Sequence, residues 1–143
     1  MADGSLRIAR MTAGIVLAFS AAVLSGCTAF ATGYAVLDRE AEGADALPDA
    51  FIEQDPADIA DLSSARYVGE HSGSSLWLLR GLDQGSVCIL AYRDETAGIM
   101  GCGSEGGPVE MSGPAGHLVT VPDDYPTPDG ATRISDNVYA LSP

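Results

Sequence analysis

The chain contains no lysine: its seven basic residues are all arginine, set against 20 aspartates and glutamates for a formal charge of −13 over 143 residues. That absence removes whole classes of chemistry. A Walker A loop needs a lysine against the β- and γ-phosphates, a pyridoxal enzyme needs one for its Schiff base, and a Ser-Lys acyl transferase needs one as base. So acidic a surface is repelled by phosphate backbones and anionic headgroups, which argues against nucleic acid as a partner and against electrostatic adhesion to a bilayer. Motifs for chemistry are also missing, with no Gly-x-Ser-x-Gly elbow and no His-Glu-x-x-His among the 143 residues. Histidine is scarce at two, cysteine at three and tryptophan at one. No cofactor is expected.

What is present begins at the N-terminus. Arg7 and Arg10 precede an apolar run, Met11 to Leu24, and the small residues Ser25 and Gly26 lead directly into Cys27. A positive region, an apolar region and small residues before a cut are the parts of a secretory signal. Leu24-Ser25-Gly26-Cys27 resembles the lipobox of bacterial lipoproteins. The resemblance covers residues 1–27 and implies cleavage before Cys27, a diacylglycerol on its thiol and acylation, typically palmitate, of the new amino group. It places the protein at the cell membrane, lipid-anchored on the extracytoplasmic face. The arginine-only basic set and the heavy use of Ala, Gly and Asp match coding in a GC-rich bacterial genome.

A second reading of the same stretch remains open. Met11 to Leu37 is 27 residues without a charge, enough at about 1.5 Å per residue to cross a hydrocarbon core of about 30 Å as one uncleaved helix. Both readings keep Arg7 and Arg10 cytoplasmic and put the bulk of the chain outside. Cleavage would leave five arginines against nineteen acids, a charge of −14 from Cys27 to Pro143.

Beyond the export segment (1–26, or an anchor to about 37), residues 27–65 read as an acidic tether, charged too densely from Asp38 to Asp45 to pack. Phe51 and Ile52 interrupt it and are expected to pack onto the domain. A short helix is predicted near 56–62, with Asp55 as N-cap, Pro56 at the first helical position and Ile59 and Leu62 on one face.

Residues 66–143 read as a small β domain. Arg66–His71 and Ser74–Arg80 form a hairpin about Ser72-Gly73, followed by Ser86–Tyr92 and Ala97–Cys102, a four-strand meander. Gly101–Pro108 reads as a Gly-rich loop. Further strands are expected at Val109–Met111, His117–Val121, Ala131–Ile134 and Asn137–Leu141. The fold class is therefore mainly β, an antiparallel meander or sandwich-like sheet with one short helix.

At 78 residues such a domain is only marginally stable on its core alone, and this gives the cysteines their meaning. With Cys27 lipidated, Cys88 and Cys102 remain as an even pair in an oxidising compartment and are expected to form a disulfide. A rival Cys2His2 metal site with His71 and His117 lacks the close ligand pairs of structural zinc sites, so no metal is expected. His71 and His117 lie near loop ends, where a small envelope hydrolase would place a base. Asp123, Asp124 and Asp129 surround a Pro-rich turn but lack the spacing of a calcium loop. Trp77 and Tyr92 are expected to fill the core. The reading that results is a non-catalytic binding accessory of the cell envelope, its ligand or partner protein unspecified.

Overall fold

The computed structural model describes residues 33–96 and 98–143. The export segment, with Arg7, Arg10, Met11–Leu24 and Cys27, lies outside the described residues. Four strands form the first antiparallel sheet in sequential order: β1 Ala60–His71, β2 Ser74–Gly81, β3 Ser86–Tyr92 and β4 Gly98–Ser104. The expected meander is present. The later strands do not extend it but make a second four-stranded sheet from β5 Val109–Gly113, β6 Gly116–Thr120, β7 Ala131–Arg133 and β8 Val138–Leu141, ordered β5-β6-β8-β7.

Alternation along the strands explains why two sheets face each other. In β2, Leu76 and Leu78 point into a core shared with Val109, Met111, Leu118 and Val138 of the second sheet, while Trp77 and Leu79 point to the opposite face. β3 repeats the pattern, with Val87 and Ile89 inward and Cys88 and Leu90 outward. A strand apolar on both faces needs cover on both. The outer cover comes from the chain before β1: Leu47 and Phe51 close over Trp77, Leu79 and Leu90.

That cover corrects the expectation of a tether over 27–65. From residue 33 onward this segment is packed, through α1 Ala35–Asp38, a 3-10 turn at Gly43–Asp45, α2 Asp49–Ile52 and a second 3-10 turn at Pro56–Asp58. Charge density does not keep it solvated because Asp45, only 4% exposed, is matched by Arg39. Phe51 packs as expected, whereas Ile52 is exposed. Tyr34 and Leu37 lie in the inter-sheet core, so an apolar helix continuing to Leu37 is corrected at that end. Among the described residues no helix is long and apolar enough to cross a membrane.

The helix near 56–62 is likewise reduced to one 3-10 turn. Asp55 adopts φ 54° and makes no side-chain cap bond. Leu62 already belongs to β1, which begins at Ala60 rather than Arg66, and Ile59 is exposed. Its i, i+3 spacing imitates a helix face where the chain is entering a strand.

Candidate functional site

The cysteines come together first. Cys88 is sealed at 0% exposure in the middle of β3, and Cys102 is its direct partner on the solvent-exposed strand β4. Their sulfurs lie 2.02 Å apart, at disulfide distance, with Cα atoms 4.0 Å apart. The close Cα approach is that of a non-hydrogen-bonded antiparallel pair. Cysteines so engaged have no thiolate to offer a metal, and His71 and His117 sit on different sheets. Among the described residues no group of three or more His, Cys, Asp or Glu is arranged to hold a metal ion.

The two histidines fare differently. His71 is half-buried at the end of β1. His117 on β6 meets Glu110 of β5, Nε2 to Oε2 at 3.0 Å, and Ser112 is its cross-strand partner. Val109 and Met111 turn inward, so Glu110, Ser112 and His117 share the outer face of the second sheet. The side chains of His117 and Glu110 are 39% and 59% exposed, and an ion pair this open to water is weak.

A groove of about 480 Å³ runs along the seam between the sheets and the N-terminal segment, lined among others by Val36, Arg39, Tyr67, Val68, Asp123 and Asp136. Its charges are largely spent on architecture. Arg39 donates to both oxygens of Asp45, at 2.6 and 2.7 Å. Asp45 also accepts from the backbone N–H groups of Glu42 and Tyr67, each at 2.7 Å. The Arg39 bonds, reinforced by those backbone donors and opposed by burial, hold the Asp45 carboxyl well below the usual carboxylate range. The neighbouring Arg66, 8% exposed, donates to the carbonyls of Arg39, Ser63 and Ala65.

Asp123 is a fastener rather than an open cation ligand. One carboxylate oxygen accepts from Ala35 N–H at 2.6 Å and the other from Asn137 Nδ2 at 2.9 Å, tying α1 to the turn before β8. Asp124, at φ 59°, and Asp129 stay on the exposed loop. Close by, the Tyr34 hydroxyl is pushed up to about 12, chiefly by burial, with the charges of Glu105 and Asp123 adding to it.

The Gly-rich segment is only partly a loop, since Gly101–Ser104 lie within β4. Trp77 is buried edge-on to Tyr67 with ring centroids 5.6 Å apart, and Tyr92 is half-buried against Phe51 at 6.2 Å. Sequence reasoning missed the Arg39–Asp45 pair and the buried Arg66, because no periodicity marks a charge for burial.

No protein-family model matches this chain, and no curated protein or solved structure matches it either.

Proposed function

We propose that the chain is an exported cell-envelope protein, anchored by lipid on Cys27 to the extracytoplasmic face of the membrane, whose β-sandwich is a non-catalytic binding module. The observation that carries this reading is the Cys88–Cys102 pair at disulfide distance. Structural disulfides persist outside the reducing cytoplasm, and pairing these two leaves Cys27 as the one cysteine of three without a partner in the sandwich. Asp45, Asp123 and Arg66 are engaged in binding the N-terminal segment to the domain. This supports a recognition surface over a reactive centre.

The anchor would hold the domain close to the bilayer. Six residues, Thr28–Gly33, separate Cys27 from the core residue Tyr34, a reach of at most about 25 Å fully extended. Partners are therefore proteins or ligands at the membrane surface.

Intact mass of the membrane-fraction protein under non-reducing conditions, with and without an inhibitor of the lipoprotein signal peptidase, tests the proposal. The expected mass is Cys27–Pro143 plus lipid, less two hydrogens, with an uncleaved lipidated precursor accumulating under the inhibitor. An unmodified chain that retains Arg7 and Arg10 would overturn the lipid anchor in favour of a single spanning helix.

A further inference from the structure

Among the described residues the two sheets leave four strand edges, and three of them are guarded. A free edge presents a row of unpaired N–H and C=O groups that another chain can pair with. β1 is broken by register shifts between Asp61 and Arg66 and between Tyr67 and Gly69, and carries charge at Asp61, Arg66 and Glu70. β7 has three residues, and β5 has five with Glu110 among them. β4 is different. All seven residues, Gly98–Ser104, pair with β3 in unbroken register, and none is charged or proline.

The direction of its free groups follows from the cysteines. Because Cys88 and Cys102 approach as a non-hydrogen-bonded pair, with Cα atoms 4.0 Å apart, the backbone N–H and C=O of Cys102 point away from β3. By the period of two, so do those of Gly98, Met100 and Ser104. Among the described residues no backbone hydrogen bond outside the β3–β4 ladder uses a β4 group.

We infer that the β4 edge receives an extended segment of a different protein as an added strand, with cationic residues near the ends of that segment. The inference rests on reading the domain as a binding module and names its partner's chemistry. Unpaired edge amides and carbonyls are matched by an extended backbone. Asp94 and Glu95 stand exposed just before the strand and Glu105, half-buried, just after it, so a cationic segment is favoured at both ends. A second copy of this chain pairing antiparallel through β4 would set Glu105 of each against Asp94 and Glu95 of the other, and like charges facing across strands are destabilising.

The test is amide hydrogen exchange on the full-length protein in detergent micelles, with a short synthetic peptide of alternating valine and threonine bearing arginine at both ends. Saturating peptide is expected to slow exchange at the Met100 and Cys102 amides about tenfold or more, and a glutamate-ended peptide is expected to do so far less. Met100→Pro removes an outward N–H while sparing the ladder to β3 and should abolish the effect. The wild-type exchange map decides alone if that variant does not fold. Absence of protection on β4, protection on β1, β5 or β7 instead, or β4 protection in a peptide-free dimer would each overturn the inference. Intact mass reports on the anchor separately, so strand addition by an unlipidated chain would sink the proposed anchoring and leave this inference standing.

Discussion

Cys88 and Cys102 face each other directly across the β3–β4 ladder, one wholly buried and one open to solvent, with sulfurs 2.02 Å apart. A bond between them closes a hairpin whose native ladder already holds its ends together, so its effect falls mainly on the unfolded chain. In the chain-entropy model a loop of this size contributes about 3 kcal/mol. Relative to the oxidised protein, replacing both residues by alanine should cost about that stability and bring the urea midpoint down to near that of the reduced protein. Equal midpoints for oxidised protein, reduced protein and the double variant would show that the bond constrains nothing.

The strands and the cysteine pair were legible because they rest on local signals. Period-two alternation in Ser74–Arg80 and Ser86–Tyr92 and turn residues at Ser72-Gly73 each act over a few residues, and setting Cys27 aside leaves Cys88 only Cys102 to pair with. The N-terminal segment was not legible, since Asp38–Asp45 has the composition of a solvated run and packs only because Arg39 within it and the Tyr67 amide of β1 both meet Asp45. The division into two sheets was likewise hidden. It turns on Gly101 and Gly103 letting β5 come close beneath β4, a long-range fit with no local trace.

Asp45 should dominate acid sensitivity. Its folded pKa is depressed, so the stability it contributes is present above the ordinary carboxylate value, near 3.8, and is lost as pH falls below that toward the folded value. Asp45→Ala should cost about 3 kcal/mol at neutral pH, because it strands the Tyr67 and Glu42 amides and the Arg39 guanidinium. Thermal melts from pH 7 down to 2 should show a steep acid limb in the wild type that flattens in the variant. Parallel limbs would remove Asp45 from this role.

Tyr34 should shape the opposite end of the pH range. Its folded pKa is pushed up to about 12 from 10.0, so the neutral phenol is favoured inside the sandwich. Stability from this group is complete below pH 10 and declines as the unfolded chain ionises between 10 and 12. Tyr34→Phe should abolish that part of the alkaline decline. Ultraviolet titration of the phenolate, run beside denaturant melts, reads the ionisation and the decline. A Tyr34 that ionises near 10.0 would contradict the burial argument.

The approach of β4 to β5 yields the sharpest packing test. A Cβ built on Gly103 would stand 2.9 Å from Cγ2 and 3.2 Å from Cγ1 of Val109, closer than carbon atoms tolerate. Val109 is 6% exposed and fixed in the inter-sheet core, and a β-branched side chain has few rotamers in which to retreat. Gly103→Ala should therefore destabilise by about 1–3 kcal/mol despite the better strand propensity of alanine. Val109→Ala alone should also destabilise, by leaving space beside Gly103. If the clash is the cause, the double variant should be more stable than the sum of the single losses, with a coupling of about 1 kcal/mol or more. Additive losses would mean that β5 does not sit against Gly103, and that another contact sets the spacing of the sheets.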